Sequence, residues 1–242
     1  MEVYIGSILS AFATGLGALP ILFFRSVTHK WRDILLALTA GIMVAAATFS
    51  LIPQALAISN MVVISVGVIL GTLALTYLEY IVPHIDLQHT AVNIAMDAKS
   101  WLILSAITLH NLPEGLSVGV SYASEHQGLG PLIAFAIGVQ NAPEGFLIAL
   151  FLINQKVGKW KAFILASLTG SIEIVSGIIG YHLTAYVSGL VPYGLAFAAG
   201  AMLYIVYKEL IPESHGDGHA KAATLSFIIG LLLMLSIIQW LG

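Results

Sequence analysis

Eight stretches of roughly 20 mostly apolar residues follow one another along this chain, a length that suits a membrane-spanning helix. They cover Val3–Phe24, Asp33–Pro53, Met61–Val82, Trp101–Tyr122, Leu132–Ile153, Lys161–Thr184, Pro192–Ile211 and Ala222–Leu241. The breaks between them are short and rich in charge, proline, asparagine or serine, and the longest is Pro83–Ser100. No soluble domain fits there. Apolar residues make up 59% of the 242 and charged residues only 9%, against about 25% charged in an ordinary soluble domain. One soluble core of this size does not hide that much apolar surface. The expected fold is an all-α integral membrane protein forming a single transmembrane domain over residues 1–242. A soluble enzyme, a disordered chain and a nucleic-acid binder are excluded. Met1–Ser10 has no basic run or small-residue cleavage pattern and reads as the start of the first span. There is no cysteine. Disulfides, thiolate metal sites and a cysteine nucleophile are therefore absent, and any metal must use His, carboxylate, amide or Met ligands.

Basic residues set the orientation. Arg25, Lys30 and Arg32 lie between spans 1 and 2, and Lys99 between spans 3 and 4. Lys156, Lys159 and Lys161 lie between spans 5 and 6, Lys208 ends span 7, and Lys221 begins span 8. With eight alternating spans, all nine fall on one side. That side is expected to be cytoplasmic, which puts both termini outside. Trp31, Trp101 and Trp160 stand beside Lys30, Lys99 and Lys159, as interfacial anchors do.

Spans 2 and 7 share a pattern. Ala40-Gly41-Ile42-Met43 is followed by Leu51-Ile52-Pro53, and Ala199-Gly200-Ala201-Met202 by Leu210-Ile211-Pro212 at identical spacing. The two spans run in opposite directions, so the pattern predicts an inverted repeat relating helices 1–3 to helices 6–8, a common device of secondary transporters.

Ionisable groups deep in a span are costly and mark a functional site by default. Glu114, Glu144 and Glu173 qualify in spans 4, 5 and 6; Glu79, Glu209 and Glu213 lie nearer the cytoplasmic ends. Span 4 reads His110-Asn111-Leu112-Pro113-Glu114-Gly115. His110 and Glu114, four apart, share one helix face, with Asn111 on the neighbouring stripe. Pro113 cannot donate to the carbonyl of Leu109 and is expected to kink the helix. Span 5 repeats the pattern thirty residues on as Gln140-Asn141-Ala142-Pro143-Glu144-Gly145. Carboxylates, an imidazole and amides gathered beside prolines look like a divalent-metal site. Two close carboxylates in low dielectric do not both stay ionised without a cation between them. Zn²⁺ accepts such donors, as do Mn²⁺, Fe²⁺ and Co²⁺. Met43 is a packing residue or a thioether ligand.

The breaks carry a second feature. His84, Asp86 and His89 follow span 3, and Glu213, His215, Asp217 and His219 follow span 7. Each group reads either as an ordinary polar loop or as a transient metal-capturing stretch at a cytoplasmic exit. Glu125 and His126 form at most a weak entry site outside, and His182 reads as interfacial.

Eight spans, external termini and the paired Asn-x-Pro-Glu-Gly motifs resemble the ZIP (Zrt/Irt-like protein) family of divalent metal transporters. The resemblance covers essentially the whole chain, which lacks the long His-rich loop of many members. It implies that His110, Asn111, Glu114, Glu144 and Glu173 are metal ligands, that Met43 lines the site, and that Lys208-Glu209-Leu210-Ile211-Pro212-Glu213 marks the exit. Asn141 stands where the family often has an acidic residue or His that helps hold a second ion. A neutral amide there implies one high-affinity site and a weaker second one. The resemblance also implies an elevator-like movement of spans 1, 4, 5 and 6 past spans 2, 3, 7 and 8, within a homodimer.

The resulting expectation is a multi-pass plasma-membrane protein, not an enzyme, that moves Zn²⁺ (also Fe, Mn, Cd or Co) into the cytoplasm by alternating access of the intramembrane site. Its partners are the divalent ion and the lipid bilayer, and no prosthetic group is expected. The alternative is a proton-coupled carrier of a small organic solute that uses the glutamates as a relay. An intramembrane metalloenzyme is disfavoured because no His-Glu-x-x-His pair is present.

Overall fold

The computed structural model describes residues 1–23, 28–81, 96–124 and 128–241, and within 96–107 the backbone alone. Arg25, His84, Asp86, His89, Glu125 and His126 lie outside the described residues, as do the side chains of Lys99 and Trp101. Helix dominates and no strand occurs among the described residues. Eight long helices follow the eight apolar stretches: α1 Glu2–Leu22, α2 His29–Ala57, α3 Met61–Ile81, α4 Met96–Ala123, α5 Leu129–Asn154, α6 Lys159–Tyr186, α7 Ser188–Ser214 and α8 Ala220–Leu241. Seven of them are long and apolar enough to cross a membrane; the remaining one, α4, carries the His110 motif over its 28 residues. Both α4 and α5 continue through Pro113 and Pro143 without a break.

The helices sort into two groups. In the first, α1 lies along α5 and α4 along α6, with α6 also touching α1 and α5. In the second, α2 lies along α8 and α3 along α7, with α2 against α7. The groups meet chiefly where α4 crosses α7 and α2 crosses α5. Exchanging α1 with α6, α2 with α7, α3 with α8 and α4 with α5 leaves this pattern of partners unchanged.

The exchange holds at the level of single residues. A Cβ on Gly41 would collide with the carbonyl of Phe227, and a Cβ on Gly200 with the carbonyl of Val68. The members of each equivalent pair, Gly41 and Gly200, Val68 and Phe227, are 159 residues apart. Gly71 approaches the carbonyl of Phe197 and Gly230 that of Leu38 at the same offset. Glycine is needed at these four places because two helix backbones touch there. Wide π turns fall at Ala47–Leu51 and Val206–Leu210, again 159 apart. Each ends two residues before a proline, Pro53 or Pro212. A proline ring clashes with the carbonyl four residues earlier, and a widened turn moves that carbonyl aside. The Gly/Met/Pro pattern of spans 2 and 7 thus marks an inverted repeat that extends over both helix triplets.

Apolar side chains such as Leu9 and Phe12 of α1, Ile69 and Leu73 of α3, Ile164 and Ile179 of α6, and Ile229 and Leu232 of α8 face outward. A belt of this kind suits acyl chains, not water. Inside, the halves of α4 and α5 beyond the Pro-Glu-Gly motifs pack through Val118, Val120, Ile133 and Ile137 into one core with Val191 and Leu195 of α7. Charge is kept in pairs. Lys208 donates to Glu79, which also accepts the Tyr204 hydroxyl at 2.8 Å, tying α7 to α3. Where the chain turns from α7 into α8, Asp217 pairs with Arg32 at 2.9 Å and His29 at 3.0 Å, and His219 with Asp33 at 3.1 Å. His215 Nδ1 meets the carbonyl of Ile211 at 2.8 Å. The metal-capturing reading of this stretch therefore gives way to a structural one: Asp217 and His219 already hold α2, and His215 holds the end of α7.

Candidate metal site

The duplicated motif places its side chains between the two helix groups. Helical spacing puts His110 and Glu114 of α4 on one face, and Gln140 and Glu144 of α5 on the matching face thirty residues on. A cavity of about 120 Å³ runs between α2, α4, α5 and α7. His110, Glu114 and Glu144 line it, with Thr39 and Met43 from α2 and Glu209 and Glu213 from α7. It continues to Arg32 and Asn154, at the ends of helices that carry the basic residues. A cavity needs roughly 10–15 Å³ per water on this measure, so a partly hydrated ion fits.

His110 Nε2 lies 2.7 Å from Glu209 Oε2, an ion pair that bridges α4 and α7. Glu114 is fully buried; its Oε1 accepts from Gln140 Nε2, while its Oε2 has no hydrogen-bond partner among the described residues. The side-chain oxygens of Thr39 and Gln140 are likewise buried and unpartnered. Buried polar atoms are normally satisfied. A cluster of unpartnered oxygens beside two carboxylates and an imidazole suits a cation, because a cation needs acceptors and supplies no competing donor.

Three expected ligands stand apart from the cavity lining. Asn111 is 1% exposed, with no partner for its Nδ2 among the described residues, and Asn141 donates its Nδ2 to Glu173 while its own Oδ1 is buried and likewise unpartnered. Among the described residues, no three His, Asp or Glu side chains stand close enough together to hold a metal ion. Donors are strung along the cavity instead of being closed around one point. Sequence reasoning passed over Gln140 and the pairing of Glu209 with His110. Gln140 was discoverable, since it occupies the position in span 5 that His110 occupies in span 4. His182, by contrast, lies far from the cavity lining, with the Tyr4 hydroxyl at 3.1 Å and its ring stacked on Tyr186.

The family model described as "ZIP Zinc transporter" matches residues 86–238. This chain belongs to the ZIP family. It is 37% identical to the zinc transporter GufA of Myxococcus xanthus, over 98% of each chain. It is 33% identical to the zinc transporter ZIPB of Bordetella bronchiseptica, over 95% of this chain and 78% of that one. The zinc transporter ZupT of Chlorobium luteolum is 28% identical over 94% of this chain and 93% of its own length. This ZIP protein is thus a multi-pass membrane protein of a transporter family, not an enzyme.

Proposed function

We propose that this ZIP protein carries divalent transition-metal ions, zinc foremost, into the cytoplasm by alternating access. The observation that carries the reading is the cavity lined by Met43, His110, Glu114 and Glu144, with side-chain oxygens of Thr39, Glu114 and Gln140 that are buried and have no donor among the described residues. Relatives named zinc transporters over nearly the whole chain support the same cargo. An open string of donors suits cargo better than a resident structural ion, which would sit in a closed four-ligand shell. Binding has to be weak enough for the ion to leave.

In this reading His110, Glu114 and Glu144 replace part of the ion's water shell, with Gln140 and Met43 as neutral donors. Asn111, Asn141 and Glu173 form the layer behind them. The ion leaves past Glu209 and Glu213, whose carboxylates offer the next oxygen donors along the cavity. Arg32 at the mouth is paired with Asp217, so its charge opposes a departing cation less. The one-sided distribution of basic residues favours a mouth that faces the cytoplasm, with both termini outside. The structure then corresponds to an inward-open state whose outer half is closed by Val118, Val120, Ile133 and Ile137. Movement of the α1/α4/α5/α6 group against the α2/α3/α7/α8 group, in a homodimer within the plasma membrane, is the motion this division favours.

Micromolar zinc is expected to stabilise the purified protein. At 100 times the dissociation constant the gain is about 2.7 kcal/mol, which raises the unfolding midpoint by roughly 5–11 °C. Cadmium, manganese, iron and cobalt run beside zinc give the preference order. Absence of any shift with every divalent metal would favour the organic-solute carrier instead.

A further inference from the structure

A second cavity lies away from the one lined by His110 and Glu114. It is a groove of about 410 Å³ between α1 and α5, reached at one end by Tyr122 of α4. Ile5 and Leu9 of α1 and Phe135 of α5 flank it and are each more than half exposed. Below them lie small residues, with Gly6 and Ala134 buried and Ala13 and Gly138 half-buried. Among the described residues that line it, Tyr122 alone has a polar side chain. Water needs polar partners to settle in such a space.

The repeat does not require this groove. A Cβ on Gly145 would run into the carbonyl of Thr14, and one on Gly115 into the carbonyl of Glu173. These equivalent contacts match α1 to α6 at an offset of 159 residues and α4 to α5 at thirty. On that register Gly6 and Ala13 correspond to Leu165 and Ile172, and Ala134 and Gly138 to Leu104 and Thr108. All four positions carry larger residues in the other half. The room between α1 and α5 therefore comes from these four residues and not from the fold. Gly138 shows it directly, since a Cβ there meets only Ala13 Cβ and Ser10 Cα, each at 3.8 Å.

The depth of the groove matches one leaflet. It runs from Ile5 to Ala13 along α1 and from Pro131 to Val139 along α5. Eight residues of helix cover about 12 Å, against roughly 15 Å for half of the hydrocarbon core. Ala13 stands midway along α1, so the inner end reaches the membrane midplane. Tyr122, in the last turn of α4, marks the interfacial end. Its ring occupies the place of a Cβ on Gly6 and of one on Gly130, so both neighbouring helices give it room. A phenol at that level has an apolar body and a polar tip suited to headgroup oxygens. The flanking Leu9 continues into the outward apolar belt through Phe12. Lipid is what covers a groove that opens onto that belt.

We propose that the groove between α1 and α5 binds one acyl chain of a phospholipid from the leaflet on the N-terminal side, with Tyr122 at the level of its ester groups. The acyl chain lies against Ala13 and Gly138 and supports the α1/α5 contact from its lipid side, behind Ser10.

A phosphatidylcholine carrying a diazirine near the end of its acyl chain, photolysed in liposomes that hold the full-length protein, tests this by peptide mass mapping. Adducts are expected around Ala13 and Gly138 at several times the level on Val175 and Ile179, which face outward from α6. Gly138→Leu puts a side chain into the groove and is expected to cut the α1 and α5 adducts by about 10-fold, with those on α6 unchanged, because a filled apolar space accepts no further methylenes without strain. Ala13→Leu fills the same space from the other helix and carries the test if Gly138→Leu does not fold. Labelling of α1 and α5 no stronger than that of α6, or undiminished in a folded variant, would overturn the proposal. So would a disulfide-linked dimer of Phe135→Cys in this cysteine-free chain, which would put a second copy of the chain in the groove.

Discussion

Valine at Gly41 or at Gly200 is expected to destabilise the protein by roughly 3 kcal/mol, the upper part of the range for overpacked cores. For a chain of this size that lowers the unfolding midpoint by about 6–12 °C. Both glycines let a backbone carbonyl of the neighbouring helix, Phe227 or Val68, occupy the place of a side chain. A carbonyl fixed in a helix cannot rotate away as a side-chain tip can, so α2 must separate from α8, or α7 from α3. The inverted repeat makes the two losses similar in size. Gly138 supplies the control: a Cβ there meets only Ala13 Cβ and Ser10 Cα, each at 3.8 Å. Gly138→Ala is expected to be neutral or to stabilise by up to about 1 kcal/mol through helix propensity. Thermal unfolding in detergent compares the three. A large loss at Gly41 with none at Gly200 would contradict the paired architecture.

The second large effect is on the ion. Glu144→Ala is expected to leave a folded protein whose zinc affinity is reduced by about 100-fold or more, with the zinc-induced rise in midpoint lost at micromolar concentration. Glu144 is half-buried on the cavity wall, so trimming it opens no sealed void. On the proposed reading it removes one of two carboxylates that would neutralise a dication in low dielectric, where each charge counts far more than in water. Isothermal titration with zinc reads the affinity directly. Retained affinity in a folded Glu144→Ala variant would remove this residue from the site.

Much of this was legible in the residues. Apolar runs of spanning length marked the helices because lipid tolerates few alternatives to a closed helix. The Gly/Met/Pro spacing of spans 2 and 7 announced the repeat, since contact between helix backbones fixes where glycine must sit and proline fixes where the turn must widen. The duplicated motif drew attention to His110, Glu114 and Glu144, which line one cavity, because intramembrane carboxylates are rarely kept without a role. What stayed hidden were partnerships across helices. Nothing in spacing distinguishes Glu173, held by Ser10 and Thr14 from the far end of the chain, from Glu144, which lines the cavity. Likewise, Asp217 and His219 read as free loop residues until α2 brings Arg32 and Asp33 against them. Gln140 carried no assigned role in the sequence, and only the folded position of Glu114 gives its amide a partner.

Zinc entry into proteoliposomes tests the central claim most directly, with wild type and Glu114→Ala reconstituted at equal density. Saturable zinc uptake by the wild type, lost in the variant, is the predicted result and would place the ion's path through the cavity between the two helix groups. A wild-type protein shown to be folded that admits no divalent metal, or a Glu114→Ala protein that admits zinc at the wild-type rate, would contradict it.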